Sequence, residues 1–411
     1  MTHPLRALFI DMDSYFASVE QHVQPHLRGR PVGVAPMLAE TTCCIAASYE
    51  AKAYGVKTGT MVAEARRLCP DIQIIAARPP LYVEVHHQIV ELVESCIHVD
   101  HVLSIDEMIC WLPNNWRSRE TVSRVADQIK EKMKHTFSDA LRCSIGVACN
   151  GWLAKTASKM EKPDGFVIIE ANDLPEKLYT LKLSDLHGIG TNMELRLHSH
   201  GIHSVRELCA TPKPTLRAIW NSVEGNRLWH KLRGDHIDDY GDKPVKRSIS
   251  HGHVLPPDLR HPARAIAVVH RLTQKAGTRM RHHGLLTSSL ELHLRFLNQT
   301  SWSGRAIFPE TMDSLFLSSS VKKLWKQRPH PGIPIRKVNI VLAKLVAEGQ
   351  FTPSLFAPAQ NEKLNRLNET LDAVNSKYGK QALYLGGAHD AIDSVHAKIA
   401  FNHIPDINIE D

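Results

Sequence analysis

The first hydrophobic block, Ala7-Leu8-Phe9-Ile10, is a continuous apolar run that stops at Asp11-Met12-Asp13, the pattern of a buried strand. Residues 14–23 then carry apolar positions at helical spacing behind a Ser or Asp able to cap them, so a helix is expected there. Between about residues 24 and 79 loop and helix alternate, with helices over 48–54 and 61–68 and with Gly55 and Gly59 as breaks. Val85, Ile89, Leu92, Val93 and Cys96 fall on one helical face within 81–96, and such a face should pack on a sheet. Residues 102–105 and 108–112 read as two arms of a strand or hairpin bent at Asp106-Glu107. An amphipathic helix over about 121–137 and a strand over 143–148 complete the layer. Strands interleaved with covering helices define an α+β class.

The chemistry lies where two apolar runs end in acids. Burial alone does not tolerate the carboxylates of Asp11, Asp106 and Glu107 at strand ends, so neighbouring strands presenting a metal site are expected, with solvated turn carboxylates as the alternative. Hard divalent cations such as Mg²⁺ take carboxylate oxygens, and two ions can clamp the attacking and leaving oxygens of a phosphoryl transfer. That pattern points to nucleotidyl transfer.

At 411 residues the chain exceeds one ordinary core and should divide into several domains. Its formal charge of +7 is moderate but unevenly placed, as a nucleic-acid partner would require. The eight cysteines show no C-x-x-C spacing and Cys43-Cys44 are adjacent, which argues against a zinc ribbon and a secreted disulfide framework. A reducing cytoplasm fits that usage. No stretch approaches the roughly 18 apolar residues of a membrane span, so a soluble protein without a membrane partner is expected.

Past the sheet layer, Leu183-Ser184-Asp185-Leu186-His187-Gly188-Ile189-Gly190 leads into a helix over 193–198. A Gly188-Ile189-Gly190 turn between short helices lets backbone N–H groups approach a phosphate, the logic of a helix-hairpin-helix; an αα-corner with a glycine cap is the plain alternative. Beyond the linker Gly241-Asp242-Lys243-Pro244, residues 243–295 hold ten cations, among them Lys246, Arg247 and Arg295, against the two acids Asp258 and Glu291. Residues 289–296 alternate strictly, 336–345 read as a partner strand after a Pro-rich loop, and 264–282 as an amphipathic helix on that sheet. A sheet edge carrying cations would track a phosphate backbone. The adjacent pairs His86-His87 and His282-His283, among 25 histidines, read as surface or packing residues and not as metal ligands.

Together these segments resemble the Y-family DNA polymerases, the translesion class, of the bacterial polymerase IV and polymerase V catalytic-subunit type. The resemblance runs through Asp11-Met12-Asp13-Ser14-Tyr15-Phe16-Ala17-Ser18-Val19-Glu20, through Ser48-Tyr49-Glu50-Ala51-Lys52-Ala53-Tyr54-Gly55-Val56-Lys57, and through Ser104-Ile105-Asp106-Glu107. It continues in Leu153-Ala154-Lys155 and Lys162-Pro163-Asp164-Gly165, and covers roughly residues 5–345. It implies a right-hand polymerase: palm at 1–23 and 79–170, small fingers at 24–78, a helical thumb with the helix-hairpin-helix at 171–242, an α/β little finger at 243–345 and a tail at 346–411.

Matching motifs implies roles. Asp11 and Asp106 would bind both of two Mg²⁺ ions (Mn²⁺ being a possible substitute), Glu107 would assist at the catalytic ion, and the Met12 carbonyl would complete the nucleotide-side ion. Tyr15, Phe16, Ser48, Tyr49, Lys52 and Lys162 form the expected nucleotide-binding set, in which a phenol and two cations hold the triphosphate. Phe16 stands at the sugar gate, where a ring beneath the incoming sugar leaves no room for a 2′-hydroxyl. Lys52 replaces an arginine common in relatives, a point charge in place of a bidentate fork. Ala46, Gly151 and Lys159 also depart from the usual threonine, lysine and aspartate. Gly188, Ile189, Gly190, Lys246, Arg247 and Arg295 are expected on DNA.

In the tail, Ser354-Leu355-Phe356 resembles the peptides that dock bacterial polymerases on the sliding clamp. Residues 361–385, read as a helix and a strand, are similar, especially over 371–380, to the end of the polymerase V catalytic subunit, which implies a polymerase V-like or hybrid member over a plain polymerase IV type and a possible accessory subunit. The expected activity is error-prone, template-directed DNA synthesis past lesions, with primer-template DNA and deoxynucleoside triphosphates as partners and a cytoplasmic, nucleoid location. A clamp-bound accessory scaffold without synthesis is the main alternative, kept open by Ala46, Gly151 and Lys159. A palm-type nucleotide cyclase is the second, though it needs no basic C-terminal domain.

Overall fold

The computed structural model describes residues 3–239, 247–350, 362–379 and 382–394. The chain divides between Asp242 and Lys243 into two compact units. The first runs β1 (Ala7–Met12), α1 (Tyr15–Val23), β2 (Val32–Ala35), β3 (Ala46–Ala47), α2 (Tyr49–Ala53), α3 (Val62–Leu68), β4 (Gln73–Ala76) and α4 (Pro79–Glu94). It continues with β5 (His101–Val102), β6 (Glu107–Trp111), α5 (Arg119–Thr136), β7 (Cys143–Ala148), α6 (Gly151–Met160) and β8 (Phe166–Ile169), then α7 (Thr191–Ser199), α8 (Val205–Ala210), α9 (Lys213–Trp220) and α10 (Val223–Lys231).

The central sheet has the order β5-β6-β1-β7-β8. Strand β1 lies in its middle, antiparallel to β6 and β7, with all six residues buried, which is why its sequence is a solid apolar run and not an alternation. Helix α6 packs on the Ala7 and Phe9 face through Trp152, Leu153 and Ala157. Gly146 on β7 permits that approach, because a Cβ there would meet the Ala154 carbonyl oxygen at 2.1 Å. Helix α5 follows the expected pattern, burying Val122, Val125, Ile129 and Met133.

Three details differ from the sequence reading. Helix α1 begins at Tyr15, and Ser14 stands before it in the left-handed region (φ 52°) with no side-chain cap; its hydroxyl instead accepts from Lys52 Nζ at 2.6 Å. The stretch expected as loop and helix contains a small sheet, β3-β2-β4, with β2 and β4 parallel. Its strands are short, and Gly33 weakens the signal of β2 while allowing Ile74 and Cys44 to close over it. Finally, Glu107 is the first residue of β6 and not part of the bend, which holds Asp106 alone of the two.

The second unit contains β9 (Ser248–Val254), α11 (Pro262–His282), β10 (Leu285–Phe296), β11 (Ser301–Thr311), α12 (Ser314–Lys326), β12 (Ile335–Ala347) and α13 (Glu362–Tyr378). Its antiparallel sheet has the order β11-β10-β12-β9. Leu290, Leu292, Leu294, Val338, Ile340 and Leu342 meet Val268, Leu272 and Met280 of α11 and Leu317 and Val321 of α12 in one core. Residues 361–385 were expected to give a helix and a strand. The helix α13 is present, but among the described residues no strand follows: Leu385 N–H is satisfied by Gln274 Oε1 at 3.0 Å, and a 3₁₀ segment, Gly386–Ser394, packs on α11. Asp372 of α13 takes the Arg281 guanidinium of α11 through Nε at 2.6 Å and Nη2 at 2.8 Å, and Asn368 caps the start of α12 by accepting from Ser314 N–H at 3.2 Å.

Candidate active site

Register brings the acids together. Asp11 at the end of β1 lies directly opposite Glu107 on β6, and Met12 N–H donates to the Asp106 carbonyl at 2.8 Å. The Asp106 carboxylate accepts from Ser104 Oγ at 2.5 Å. Burial pushes the Asp11 carboxyl up to about 6 against the pull of Lys162, and the charges of Glu107 and Asp106 add to the rise. Asp106 is likewise raised, first by burial and then, despite Ser104, by Glu107. These acids are crowded enough to repel one another.

Two lysines now answer that charge. Lys162 Nζ contacts Asp11 Oδ1 at 2.5 Å and Asp13 Oδ1 at 3.3 Å, and Lys155 Nζ of α6 contacts Glu107 Oε2 at 2.8 Å. Burial draws the Lys162 ammonium down, but Asp11 and Asp13 outweigh it and hold it above its ordinary range. Among the described residues no three His, Cys, Asp or Glu side chains close into a metal cage. The donor set nevertheless fits hard divalent cations, since it offers carboxylate oxygens whose mutual repulsion such a charge would relieve.

Asp13 carries no role in the sequence reading, yet it is a hub. It is buried and accepts from Ser144 Oγ at 3.0 Å, from Asp164 N–H at 2.7 Å and from Tyr49 Oη at 3.4 Å. It thereby ties α2 to the central sheet. Only its place in the Asp11-Met12-Asp13 run, in the turn that follows β1, could have flagged it. Lys155 appeared in a motif without a role, and a lone lysine on an apolar helix face was the available signal.

The nucleotide-set residues separate into two kinds. Tyr49, Lys52 and Lys162 gather beside the acids, with Lys52 Nζ 4.1 Å from the Tyr49 ring centroid. Burial lowers the Lys52 ammonium, and the neighbouring charge of Lys162 lowers it further. Ser48, by contrast, is buried as the N-cap of α2, its Oγ accepting from Ala51 N–H at 3.3 Å and Val32 N–H at 3.1 Å, so its hydroxyl is spent on the fold. Tyr15 is buried too and donates its hydroxyl to the Tyr82 carbonyl at 2.6 Å, leaving the first-turn backbone of α1 as what this position offers an anion. Phe16 packs against Tyr82 with ring centroids 4.9 Å apart. The Met12 side chain lies in the core.

Other expected residues are spread over the chain. Gly188 has φ 91°, Gly190 is the N-cap of α7, and a Cβ at either would meet nothing within 4 Å, while Ile189 between them is buried. In the second unit Arg247 and Arg295 are exposed, and Arg295 lines a shallow cavity of about 360 Å³ with His293, Trp302, Lys337 and Asn339. Lys246, Ser354, Leu355 and Phe356 lie outside the described residues. His86 is buried with Nδ1 2.8 Å from the Ile105 carbonyl oxygen, whereas His87, His282 and His283 are exposed. Of the departures, Ala46 pairs with Val34 in the small sheet, Gly151 opens α6 as a buried residue, and Lys159 is exposed. No described helix is long and apolar enough to cross a membrane.

A carboxylate cluster at the ends of paired strands, beside a tyrosine and two lysines, has the chemistry to hold divalent cations against phosphate oxygens. The impB/mucB/samB family model matches residues 10–159, and the model of that family's C-terminal domain matches 246–355. The chain belongs to this family, the Y-family of DNA-directed DNA polymerases. It is 32% identical over 386 residues to the DNA polymerase IV of Moorella thermoacetica, covering 92% of this chain and 94% of that one. The DNA polymerase IV 1 of Bacillus subtilis is 26% identical over 411 residues, 96% of this chain and 95% of its own length. Among solved structures, a Y-family DNA polymerase chimera, Dbh-Dpo4(243-245)-Dbh, aligns with a TM-score of 0.70 at 21% identity over 83% of this chain and 99% of that one. An insertion ternary complex of Dbh DNA polymerase aligns with a TM-score of 0.54 at 22% identity over the same shares.

Proposed function

We propose that this chain adds deoxynucleotides to a primer 3′ end on damaged templates by two-metal nucleotidyl transfer, with Mg²⁺ as the ion. The observation that carries the reading is the register pairing of Asp11 with Glu107 and the backbone link from Met12 to Asp106. Asp11, Asp106 and Glu107 would hold the ions, with the Met12 carbonyl as a further ligand. Held there, such ions would supply Lewis-acid charge for lowering the pKa of the primer hydroxyl and for neutralising the leaving pyrophosphate. Tyr49, Lys52 and Lys162 would orient the triphosphate, which would compete with Asp11 and Asp13 for Lys162. Phe16 would exclude the 2′-hydroxyl of a ribonucleotide.

The Gly188-Ile189-Gly190 turn and the exposed Arg247 and Arg295 support contact with a DNA backbone, with Lys246 as a further candidate. Sliding-clamp docking through Ser354, Leu355 and Phe356, and an accessory subunit of the polymerase V type, extend the reading on sequence resemblance. Primer extension on undamaged and abasic templates, with Mg²⁺ and with or without clamp, tests it. Synthesis across the abasic site supports the proposal. Retained DNA binding with no extension on either template would favour the accessory scaffold.

A further inference from the structure

Glu20 has no exposed surface although it is an acid. A buried carboxylate persists only where its oxygens are satisfied. Here they accept from Tyr82 Oη at 2.7 Å, from Gln24 Nε2 at 2.7 Å, and from both Nε (3.1 Å) and Nη2 of Arg78. Glu20 and Gln24 lie at the end of α1, and Arg78 and Tyr82 flank the first turn of α4, so the cluster fastens one helix to the other. Burial, and then the hydrogen bond to Glu20, push the Tyr82 phenol far above its ordinary range, which keeps it a donor. The Tyr82 carbonyl in turn accepts from Tyr15. Tyr82 is therefore held at both its hydroxyl and its backbone, with its ring against Phe16 at an interplanar angle of 37°.

We infer that Glu20, acting through Tyr82, is a positioning residue for sugar selection by Phe16. The inference rests on the gate reading given above for Phe16 and deepens it. Discrimination by overlap works only while the obstructing ring cannot recoil, and a displacement of about 1 Å at a reacting site can cost about 100-fold. The phenyl ring of Phe16 has no polar atom with which to fix itself. Its neighbour Tyr82 does, and that anchor is an ion cluster with directional hydrogen bonds in place of shape alone. None of Glu20, Arg78 and Tyr82 is hydrogen-bonded to the three acids or to Tyr49, Lys52 or Lys162. Loosening the anchor should thus relax sugar choice without disabling the chemistry.

The test is single-nucleotide insertion of dCTP and of CTP opposite template G with Mg²⁺, comparing kcat/KM ratios. Phe16→Ala should raise ribonucleotide use by about 100-fold, Tyr82→Leu by about tenfold, and Glu20→Ala by a similar factor. Tyr82→Phe, which keeps the ring and drops only the hydroxyl, should raise it by about threefold or more. The change should appear chiefly as a lower KM for CTP, with dCTP insertion by Tyr82→Phe within about threefold of the parent. A merely structural role would depress both nucleotides alike. If Glu20→Ala does not fold, Tyr82→Phe carries the comparison. Parental ratios in Tyr82→Phe and Tyr82→Leu, beside a raised ratio in Phe16→Ala, would overturn the inference. An unchanged ratio in Phe16→Ala would instead overturn the gate reading and this inference with it.

Discussion

Replacing Gly146 by Ala tests how the central sheet positions α6 and with it Lys155. The added Cβ would lie 2.1 Å from the Ala154 oxygen, 2.3 Å from the Ser158 nitrogen and 2.9 Å from the Ala157 carbonyl carbon, where ordinary contact begins at 3.4 Å. All three are backbone atoms of one helix, so no side chain can swing aside. Helix α6 must withdraw from β7 by about 1 Å, and the strain belongs at the upper end of overpacking costs, about 3 kcal/mol. For a unit of this size that lowers the melting temperature by about 6–12 °C. Lys155 stands between the displaced residues, and its 2.8 Å contact with Glu107 would lengthen out of hydrogen-bond range, with an expected drop in insertion rate of about tenfold or more. Calorimetry of the full chain and single-nucleotide insertion read the two effects. Melting within about 2 °C of the parent and an unchanged rate would refute the reasoning.

Further outcomes follow from other contacts. Asp106→Ala or Asp11→Ala should reduce primer extension by at least about 1,000-fold while gel-shift affinity for primer-template DNA persists; extension surviving in a clean preparation would defeat the metal assignment. Asp372→Ala leaves the buried Arg281 guanidinium without its carboxylate, which should cost about 3 kcal/mol, read as faster hydrogen exchange in α13. Burial holds the His86 imidazole down at about 4 from an ordinary 6.5, despite the Ile105 carbonyl. The unfolded chain therefore takes up this proton first as pH falls, so stability present above pH 6.5 is lost toward pH 4, by about 2 kcal/mol at pH 5. His86→Gln should flatten that slope in urea titrations.

The elements that the sequence announces are those whose burial is strong on one or both faces. The solid run of β1, the amphipathic α4 and α5, and α11 with β12 stand close to their expected bounds, while β10, expected from 289, reaches back to Leu285. The elements that escaped have weak or mixed signals. Strand β11 is an edge strand with no buried residue, its half-exposed face including Gly304 and its exposed face Ile307 and Pro309, so neither apolar density nor a clean sequence alternation marks it. Strands β2 to β4 are too short to show a period. The acids of the candidate site were visible because charge interrupts apolar strands at Asp11 and Glu107. Asp13, Lys155 and the Glu20 cluster were not, because their meaning lies mainly in partners 36 to 151 residues away, and a single sequence does not show such pairings.

Strand β12 ends at Ala347 and α13 begins at Glu362, and Asp372 and Asn368 moor that helix to the body from which the strand departs. Helix α13 is therefore splinted along α11 to the body that carries the sheet. A partner that took hold of its outer face would tug on that whole body and not on a separable arm.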